Sequence, residues 1–151
     1  MREKQLKGNN GGSFSDEQRP RLLLVDEDAQ DLQDYSAILR YLGYEVEPVD
    51  SYRQAAARLE RDRFDLVIVE QGSVDFEGRS VLSRAVEVDR QVPVLVLTRN
   101  VDPDCCLEAL DSGASEYVQK PLTTSEIREL VADYVNPSAG SPVAESWRMA
   151  S

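Results

Sequence analysis

The sequence predicts a single α/β domain, built as a doubly wound parallel sheet of five strands with helices on both faces. Short apolar runs typical of buried strands alternate along the chain with stretches whose apolar residues recur every three or four positions. This alternation is typical of repeated strand–helix units, which build parallel sheets. At 151 residues, with 41% apolar and 30% charged residues, the chain is long enough for one domain with a real core.

Five runs have the length and composition of strands: 21–25, 44–49, 65–69, 92–97 and 115–119. The first, third and fourth runs are almost wholly apolar, which is typical of strands that are covered on both faces at the centre of a sheet. The second run contains two glutamates and Pro48, which favours an edge, because proline cannot donate a ladder hydrogen bond. Right-handed crossovers then predict the flavodoxin-like strand order 2-1-3-4-5.

The helical stretches begin at residues that suit helix N-termini. Ser51 with Gln54 and Thr123 with Glu126 fit capping boxes, and Asp102 is predicted to be an N-cap followed by Pro103 at the first helical position. Asp28 is expected to cap the first helix, and Gly43 is expected to end it.

Composition and charge narrow the range of functions. The formal net charge is -11, and so acidic a chain is a poor candidate for binding nucleic acid or anionic membranes. No apolar run is long enough to cross a membrane, and the first twenty residues lack the apolar core of a secretion signal, so we expect a cytoplasmic protein. Without histidine, neither a Ser-His nor a Cys-His pair can form. The adjacent Cys105 and Cys106 are expected to stay reduced, with one facing the core.

The two ends of the chain differ in composition from the middle. Residues 1–20 contain "GNNGGS" and are predicted to be a flexible leader, and the Pro-, Ser- and Ala-rich residues 136–151 a flexible tail with an isolated Trp147. The domain is therefore expected at residues 21–135. Because nothing after residue 135 is long enough to be an output domain, we expect a stand-alone domain.

The residues just beyond four of the strands form a chemically coherent set. Asp26 and Glu27 follow the first strand, Glu70 the third, Thr98 the fourth and Lys120 the fifth. The ligand crevice of such a sheet lies at the carboxyl ends of its strands, so these side chains should converge there. The set suits phosphoryl transfer onto a carboxylate: acids hold a divalent cation, one carboxylate attacks phosphorus, and the hydroxyl and ammonium hold the transferred oxygens.

Four stretches at their spacings, "LLLVDED", "FDLVIVE", "VPVLVLT" and "GASEYVQKP", resemble the receiver domain of bacterial two-component response regulators, which act in phosphorelay signal transduction. The resemblance covers residues 21–135. It implies a metal-binding acidic pair at Asp26 and Glu27, the phosphoacceptor position at Glu70, the switch hydroxyl at Thr98, the invariant lysine at Lys120, the switch aromatic at Tyr117 and the loop-ending glycine at Gly78. Tyr117 is either a switch that turns inward or a half-buried strand tyrosine.

Three residues depart from the family's pattern around this cavity. The family carries aspartate where Glu70 stands, proline where Val74 stands, and a small residue where Arg99 stands. One added methylene displaces the carboxylate by about 1.5 Å, an error that Mg²⁺ coordination and in-line attack tolerate poorly. We therefore expect Glu70 to be a poor phosphoacceptor, Mg²⁺ binding through Asp26 and Glu27 to be weak, no cofactor to be required and no catalytic turnover to occur.

Several functions remain open. Glu70 could reach Lys120 and Thr98 as a partial phosphoryl mimic, with Arg99 completing an ion pair to Glu70. It could instead mark a decayed site, or be phosphorylated as an unusual acceptor. The favoured hypothesis is a pseudo-receiver that contacts a signalling protein, either a histidine kinase or a downstream protein. A homodimer through residues 101–135 is a further possibility, with charged residues Glu108, Asp111, Glu116, Arg128 and Glu129 available on that face.

A second family fits the first strand alone. "LLLVDEDA" also matches the Asp-x-Asp opening of haloacid-dehalogenase-like phosphatases, with Asp26 as nucleophile and Asp28 as acid/base. Those enzymes need another acidic pair after the lysine strand, whereas only helical acids follow here, so this remains the weaker alternative. Asp75 and Glu77, in the loop before Gly78, are expected to be solvated.

Overall fold

The computed structural model describes residues 19–136. Within this range, strands and helices alternate in the order β1 (Arg21–Val25), α1 (Ala29–Tyr41), β2 (Glu45–Val49), α2 (Tyr52–Arg61), β3 (Leu66–Glu70), α3 (Arg79–Val88), β4 (Val94–Thr98), α4 (Pro103–Asp111), β5 (Glu116–Gln119) and α5 (Thr124–Ala132). The predicted leader and tail, including Trp147, lie almost wholly outside the described residues and stay predictions. No helix in the described part of the chain is both long and apolar enough to span a membrane.

The five strands form one parallel sheet in the order β2-β1-β3-β4-β5, which confirms the predicted topology. The strand that carries Pro48 lies at the edge, where the missing amide donor does no harm. Two strand ends differ from the prediction by one residue, because Glu70 and Thr98 are the last residues of β3 and β4. In the β3–β4 register Glu70 lies opposite Leu97. The side chains of Glu70 and Thr98 therefore start from neighbouring strands, one position apart along the sheet edge.

The core consists of two apolar layers, one on each face of the sheet. Alternate residues of β1 point to opposite faces, so that Leu23 and Val25 join the layer beneath α2, α3 and α4, while Leu22 and Leu24 join the layer beneath α1 and α5. The central strands are apolar throughout because both of their faces are buried. In β1, β3 and β4, polar side chains therefore occur only at the strand ends.

The predicted helix caps are confirmed. Each N-cap side chain accepts a backbone N–H bond from the residue three positions on: Asp28 from Asp31, Ser51 from Gln54, Asp102 from Cys105 and Thr123 from Glu126. Thr123 and Glu126 form a reciprocal capping box, whereas Ser51 and Gln54 form only the bond from the Gln54 N–H to the Ser51 hydroxyl. Gly43, with φ of 106°, follows α1 as expected. Helices that start this close to the strand ends fix the loops around the crevice.

The loop between β3 and α3 folds back onto the end of β3. A Cβ at Gly78 would lie 2.3 Å from the carbonyl oxygen of Glu70, so only glycine allows the loop to pass this close. The Glu77 carboxylate accepts bonds from the Ser73 backbone N–H and hydroxyl, which lower the pKa of Glu77. Gly72 adopts a positive φ of 90°. The loop therefore holds the backbone of Glu70 in one position.

We expect Gly78→Ala to lower the free energy of unfolding by about 1–3 kcal/mol, because the new methyl group overlaps the Glu70 carbonyl and the loop must shift. Urea denaturation of the purified chain measures this difference. Ser83→Ala, at an exposed position of the same helix, is the control and should change stability by less than about 0.5 kcal/mol. Equal stabilities for Gly78→Ala and the control would contradict the close packing of this loop.

Candidate functional site

Glu70 lies at the carboxyl end of β3, and its side chain is only 13% exposed. Its carboxylate forms an ion pair with the Lys120 ammonium. Burial raises the pKa of Glu70, and the ion pair with Lys120 opposes this rise without cancelling it. The convergence of these two side chains at the sheet edge agrees with the sequence prediction.

Lys120 is the buried centre of the site. Its ammonium donates hydrogen bonds of 2.8 Å to Asp26 Oδ2 and 2.8 Å to Asp31 Oδ2, in addition to the ion pair with Glu70. Burial alone would lower the pKa of Lys120, but the bonds to the three carboxylates raise it well above its usual range. Lys120 is also the only lysine within residues 19–136. The ammonium therefore stays charged, and it is held from three sides.

Asp31, in the first turn of α1, is the site residue that sequence reasoning missed. It is only 6% exposed, and besides Lys120 it accepts two bonds from Arg99: 3.1 Å from Nε and 2.5 Å from Nη2. Burial would raise the pKa of Asp31, but Lys120 and Arg99 together lower it. A signal was present in the sequence, since Asp31 lies four positions before Tyr35 and eight before Leu39, on the buried stripe of its helix.

Two predicted contacts of Glu70 are absent. Arg99 pairs with Asp31 and not with Glu70, because its long side chain reaches across to α1 while Lys120 already neutralises Glu70. Thr98 does not bond to Glu70 either. Its hydroxyl donates to the Asn100 carbonyl and accepts from the Asn100 N–H, both at 3.0 Å, so its hydrogen bonds are made locally. Of the contacts expected for a phosphoryl mimic, the structure shows only that to Lys120.

Tyr117 is half-buried, and its hydroxyl connects two segments. It donates to Gln71 Oε1 and accepts a 3.1 Å bond from the Asp102 backbone N–H. Burial raises the pKa of Tyr117, so the phenol keeps its proton. This position agrees with a half-buried strand tyrosine and does not test the switching role. Gln71 is a second residue that the sequence did not reveal, and it is 1% exposed.

The fold and the geometry of this cluster allow a comparison with known proteins. The family model described as Response regulator receiver domain matches residues 22–132. The chain belongs to the response regulator receiver domain family.

Curated relatives and solved structures agree with this assignment. The transcriptional regulatory protein ZraR of Escherichia coli (strain K12) is 33% identical over 101 residues, which are 67% of this chain and 23% of that protein. The two-component response regulator-like PRR37 of Oryza sativa subsp. indica is 31% identical over 139 residues, 80% of this chain and 19% of that protein. A CheY-like receiver domain protein from Methanospirillum hungatei JF-1 superposes with a TM-score of 0.72 at 26% identity, covering 76% of this chain and 92% of that one.

The chain spans less than a quarter of the length of either curated relative. It is a receiver domain of two-component signalling, and the family match favours this over the dehalogenase-like alternative. The Asp28 carboxylate, which that alternative requires as acid/base, caps α1. Whether the receiver domain stands alone stays a prediction.

The acids of this receiver domain hold a lysine and, as arranged, do not fit a divalent ion. Asp26 is 4% exposed, and both of its oxygens have partners: Oδ1 accepts a 2.9 Å bond from the Asp28 N–H, and Oδ2 binds Lys120. Glu27 points to solvent. Among residues 19–136 no group of three or more Asp, Glu, Cys or His side chains is arranged to hold a metal ion. Asp26 shares its carboxylate with Lys120, and weak Mg²⁺ binding stays a prediction.

The remaining residues singled out from the sequence lie further from Lys120. Val74 is exposed, and its carbonyl accepts a 3.4 Å bond from the buried Cys105 thiol; Cys106 is half-buried, and both cysteines are free. Asp75 and Glu77 are exposed.

The face formed by residues 101–135 differs in part from the prediction. Glu108 is turned toward α3, where it pairs with Arg79, and Glu116 accepts a bond from the Tyr134 hydroxyl. These two acids already have partners within the domain, because their helix and strand neighbours supply a cation and a hydroxyl. The predicted charged residues that lie exposed on this face are Asp111, Arg128 and Glu129.

We expect Asp31→Asn to lower the free energy of unfolding at pH 7 by about 2–4 kcal/mol, because it removes one partner of a buried ionic cluster. The pKa of Asp31 is lower in the folded domain than in the unfolded chain. Its ionic contribution is therefore present above the ordinary carboxyl range and lost as pH falls through the folded pKa. The difference in free energy of unfolding between the native chain and Asp31→Asn should therefore become smaller below about pH 4.

Urea denaturation at several pH values between 7 and 3 measures this gap. Asp34→Asn removes an exposed acid from the same helix and should cost less than about 0.5 kcal/mol at neutral pH. A gap between the native chain and Asp31→Asn that stays constant with pH would show that the Asp31 charge does not stabilise the domain.

Proposed function

We propose that this chain is an atypical receiver domain that acts by protein–protein contact, largely independently of phosphorylation. In this proposal, Glu70 stands in the phosphoacceptor position and is silenced as an acceptor. The observation that carries the proposal is the ion pair of the partly buried Glu70 carboxylate with Lys120, which is itself held by Asp26 and Asp31.

The same ion pair supports only a partial imitation of a phosphoryl group. A carboxylate supplies one negative charge and two oxygens, whereas a phosphoryl group supplies about 1.5 to 2 charges and three oxygens. Glu70 contacts Lys120, but the Thr98 hydroxyl bonds to Asn100. The geometry therefore supports a silenced acceptor that keeps one contact of the phosphorylated state.

Nucleophilic attack by Glu70 is disfavoured for three reasons. Its carboxylate is paired with an ammonium, its extra methylene displaces the oxygens by about 1.5 Å, and Asp26 is bonded to Lys120. In-line attack on phosphorus is sensitive to misplacement of about 1 Å. We accordingly expect Mg²⁺ binding through Asp26 and Glu27 to be weak and no catalytic turnover to occur.

The partner we propose is another signalling protein, either a histidine kinase or a downstream protein. The contact surface we assign to it is the face formed by residues 101–135. Three large apolar side chains are exposed on or beside α4, with exposed fractions of 53% for Val101, 62% for Leu107 and 45% for Leu110. A second copy of the domain is the competing occupant of this face.

The test is the intact mass of the chain after incubation with acetyl phosphate and Mg²⁺. We expect Glu70→Asp to gain one phosphoryl group, because the shorter side chain restores the family's acceptor geometry. The native chain and the matched control Glu70→Gln, which has no carboxylate at this position, should gain none.

Each other outcome has a definite meaning. Phosphorylation of the native chain, absent from Glu70→Gln, would overturn the proposal and make Glu70 an unusual acceptor. If Glu70→Asp also gains nothing, Glu70 alone does not silence the site, and the other departures, Val74 and Arg99, close it as well.

A further inference from the structure

The Tyr117 hydroxyl bonds neither to Thr98, which matches the family's switch hydroxyl, nor to Glu70, which matches its acceptor position. Thr98 bonds to Asn100, and Glu70 pairs with Lys120. The Tyr117 hydroxyl nevertheless makes two hydrogen bonds: it donates to Gln71 Oε1 and accepts from the Asp102 N–H. In this chain, the residue that accepts a hydrogen bond from the Tyr117 hydroxyl is therefore Gln71, and not Thr98 or Glu70.

Gln71 is a buried amide with each of its polar groups in use. Its Nε2 donates a 3.1 Å bond to the Ser73 carbonyl, and its Oε1 accepts from Tyr117. Its backbone N–H donates to Leu97 O at 2.7 Å, and its carbonyl accepts from Gly78 N–H at 3.0 Å. A buried amide is costly unless it is hydrogen-bonded, and an apolar side chain would fill this space without that cost. Both polar atoms of the Gln71 side chain therefore have partners, and its Oε1 is the acceptor of the Tyr117 hydroxyl.

The other end of this connection is the start of α4. The Asp102 N–H donates to Tyr117, while the Asp102 carboxylate accepts a 3.0 Å bond from the Cys105 N–H and so caps the helix. The Cys105 thiol donates to the Val74 carbonyl, in the same loop that carries Gln71. The first turn of α4 is therefore attached to the β3–α3 loop at two points, one of them through Tyr117.

We propose that Gln71 is a positioning residue which, through the Tyr117 hydroxyl, sets the first turn of α4 and with it the exposed face of that helix. Gln71 directly follows Glu70 in the chain, so the connection runs from the acceptor strand to the outer face without Thr98. This inference rests on the proposed function, because it supplies the means by which a domain that is not phosphorylated keeps one arrangement of its contact surface.

The connection requires a protonated phenol, because the hydroxyl must donate to Gln71 while it accepts from Asp102. The half-buried environment keeps the phenol in that form. Phenylalanine at position 117 would keep the ring in the core and lose both bonds. Methionine at position 71 would keep most of the volume and lose the acceptor. Both changes remove the hydrogen bond between Tyr117 and Gln71: the first removes its donor and the second removes its acceptor.

The test is amide hydrogen exchange, followed by NMR, in the native chain, Gln71→Met, Tyr117→Phe and the double variant. We expect Gln71→Met to speed exchange of the Asp102, Cys105 and Cys106 amides by about 2- to 12-fold, the range that corresponds to one lost hydrogen bond. Tyr117→Phe, which also loses the bond from the Asp102 N–H, should speed exchange by at least as much. The double variant should be no faster than the faster single variant, because both changes break one shared bond. When Thr98→Val is combined with Gln71→Met, the fold-changes in exchange rate of the two single variants should multiply.

The amides of α2, whose residues make none of the hydrogen bonds of this connection, report a general loss of stability. Equal acceleration in α2 and α4 would show a general loss of stability and overturn the positioning role. Independent effects of Gln71→Met and Tyr117→Phe, or an effect of Gln71→Met that changes when Thr98→Val is present, would also overturn it. These results do not depend on the phosphodonor experiment: a phosphorylated native chain refutes the proposed function, whereas the exchange pattern alone decides the role of Gln71.

Discussion

The buried ammonium of Lys120 is the interaction on which the rest of the site depends. A charge with so little exposure must be paired and hydrogen-bonded, and Lys120 obtains its partners from three separate elements: Asp26 at the end of β1, Asp31 in α1 and Glu70 at the end of β3. The parallel sheet makes this possible, because it brings the carboxyl ends of β1, β3 and β5 to one edge. Removing any one of these three carboxylates would leave the buried Lys120 ammonium with one ionic partner fewer.

This cluster gives the domain a completed ionic centre without a phosphoryl group. Glu70 forms an ion pair with Lys120, the residue that the resemblance matches to the family's invariant lysine. Asp31 and Arg99 connect α1 with the loop after β4. The Thr98 hydroxyl faces that loop and takes no part in the cluster. Gln71 and Tyr117 then connect the end of β3 with the start of α4. The chain thus has two chemically separate connections, one ionic and one neutral.

Local features of the chain were predictable because their causes are local. Apolar runs identified the strands, and capping chemistry located the helix starts, including Asp28 and Thr123. The ionic contacts were less predictable because the partners of Asp31 are 68 and 89 positions away. An acid in the first turn of a helix ordinarily faces solvent and interacts with the helix dipole. The pairing of Arg99 and the role of Gln71 depend on how loops pack, which the sequence pattern does not specify.

If this receiver domain keeps one arrangement of its site and outer face without a phosphoryl group, as we propose, a phosphoryl analogue should leave that arrangement unchanged. The most direct test is the ¹H–¹⁵N spectrum of the native chain before and after addition of Mg²⁺ and beryllofluoride, a stable phosphoryl analogue. We expect unchanged resonances for Lys120, Tyr117 and the first turn of α4. Saturable shifts of these resonances, with beryllofluoride bound at Glu70, would contradict it.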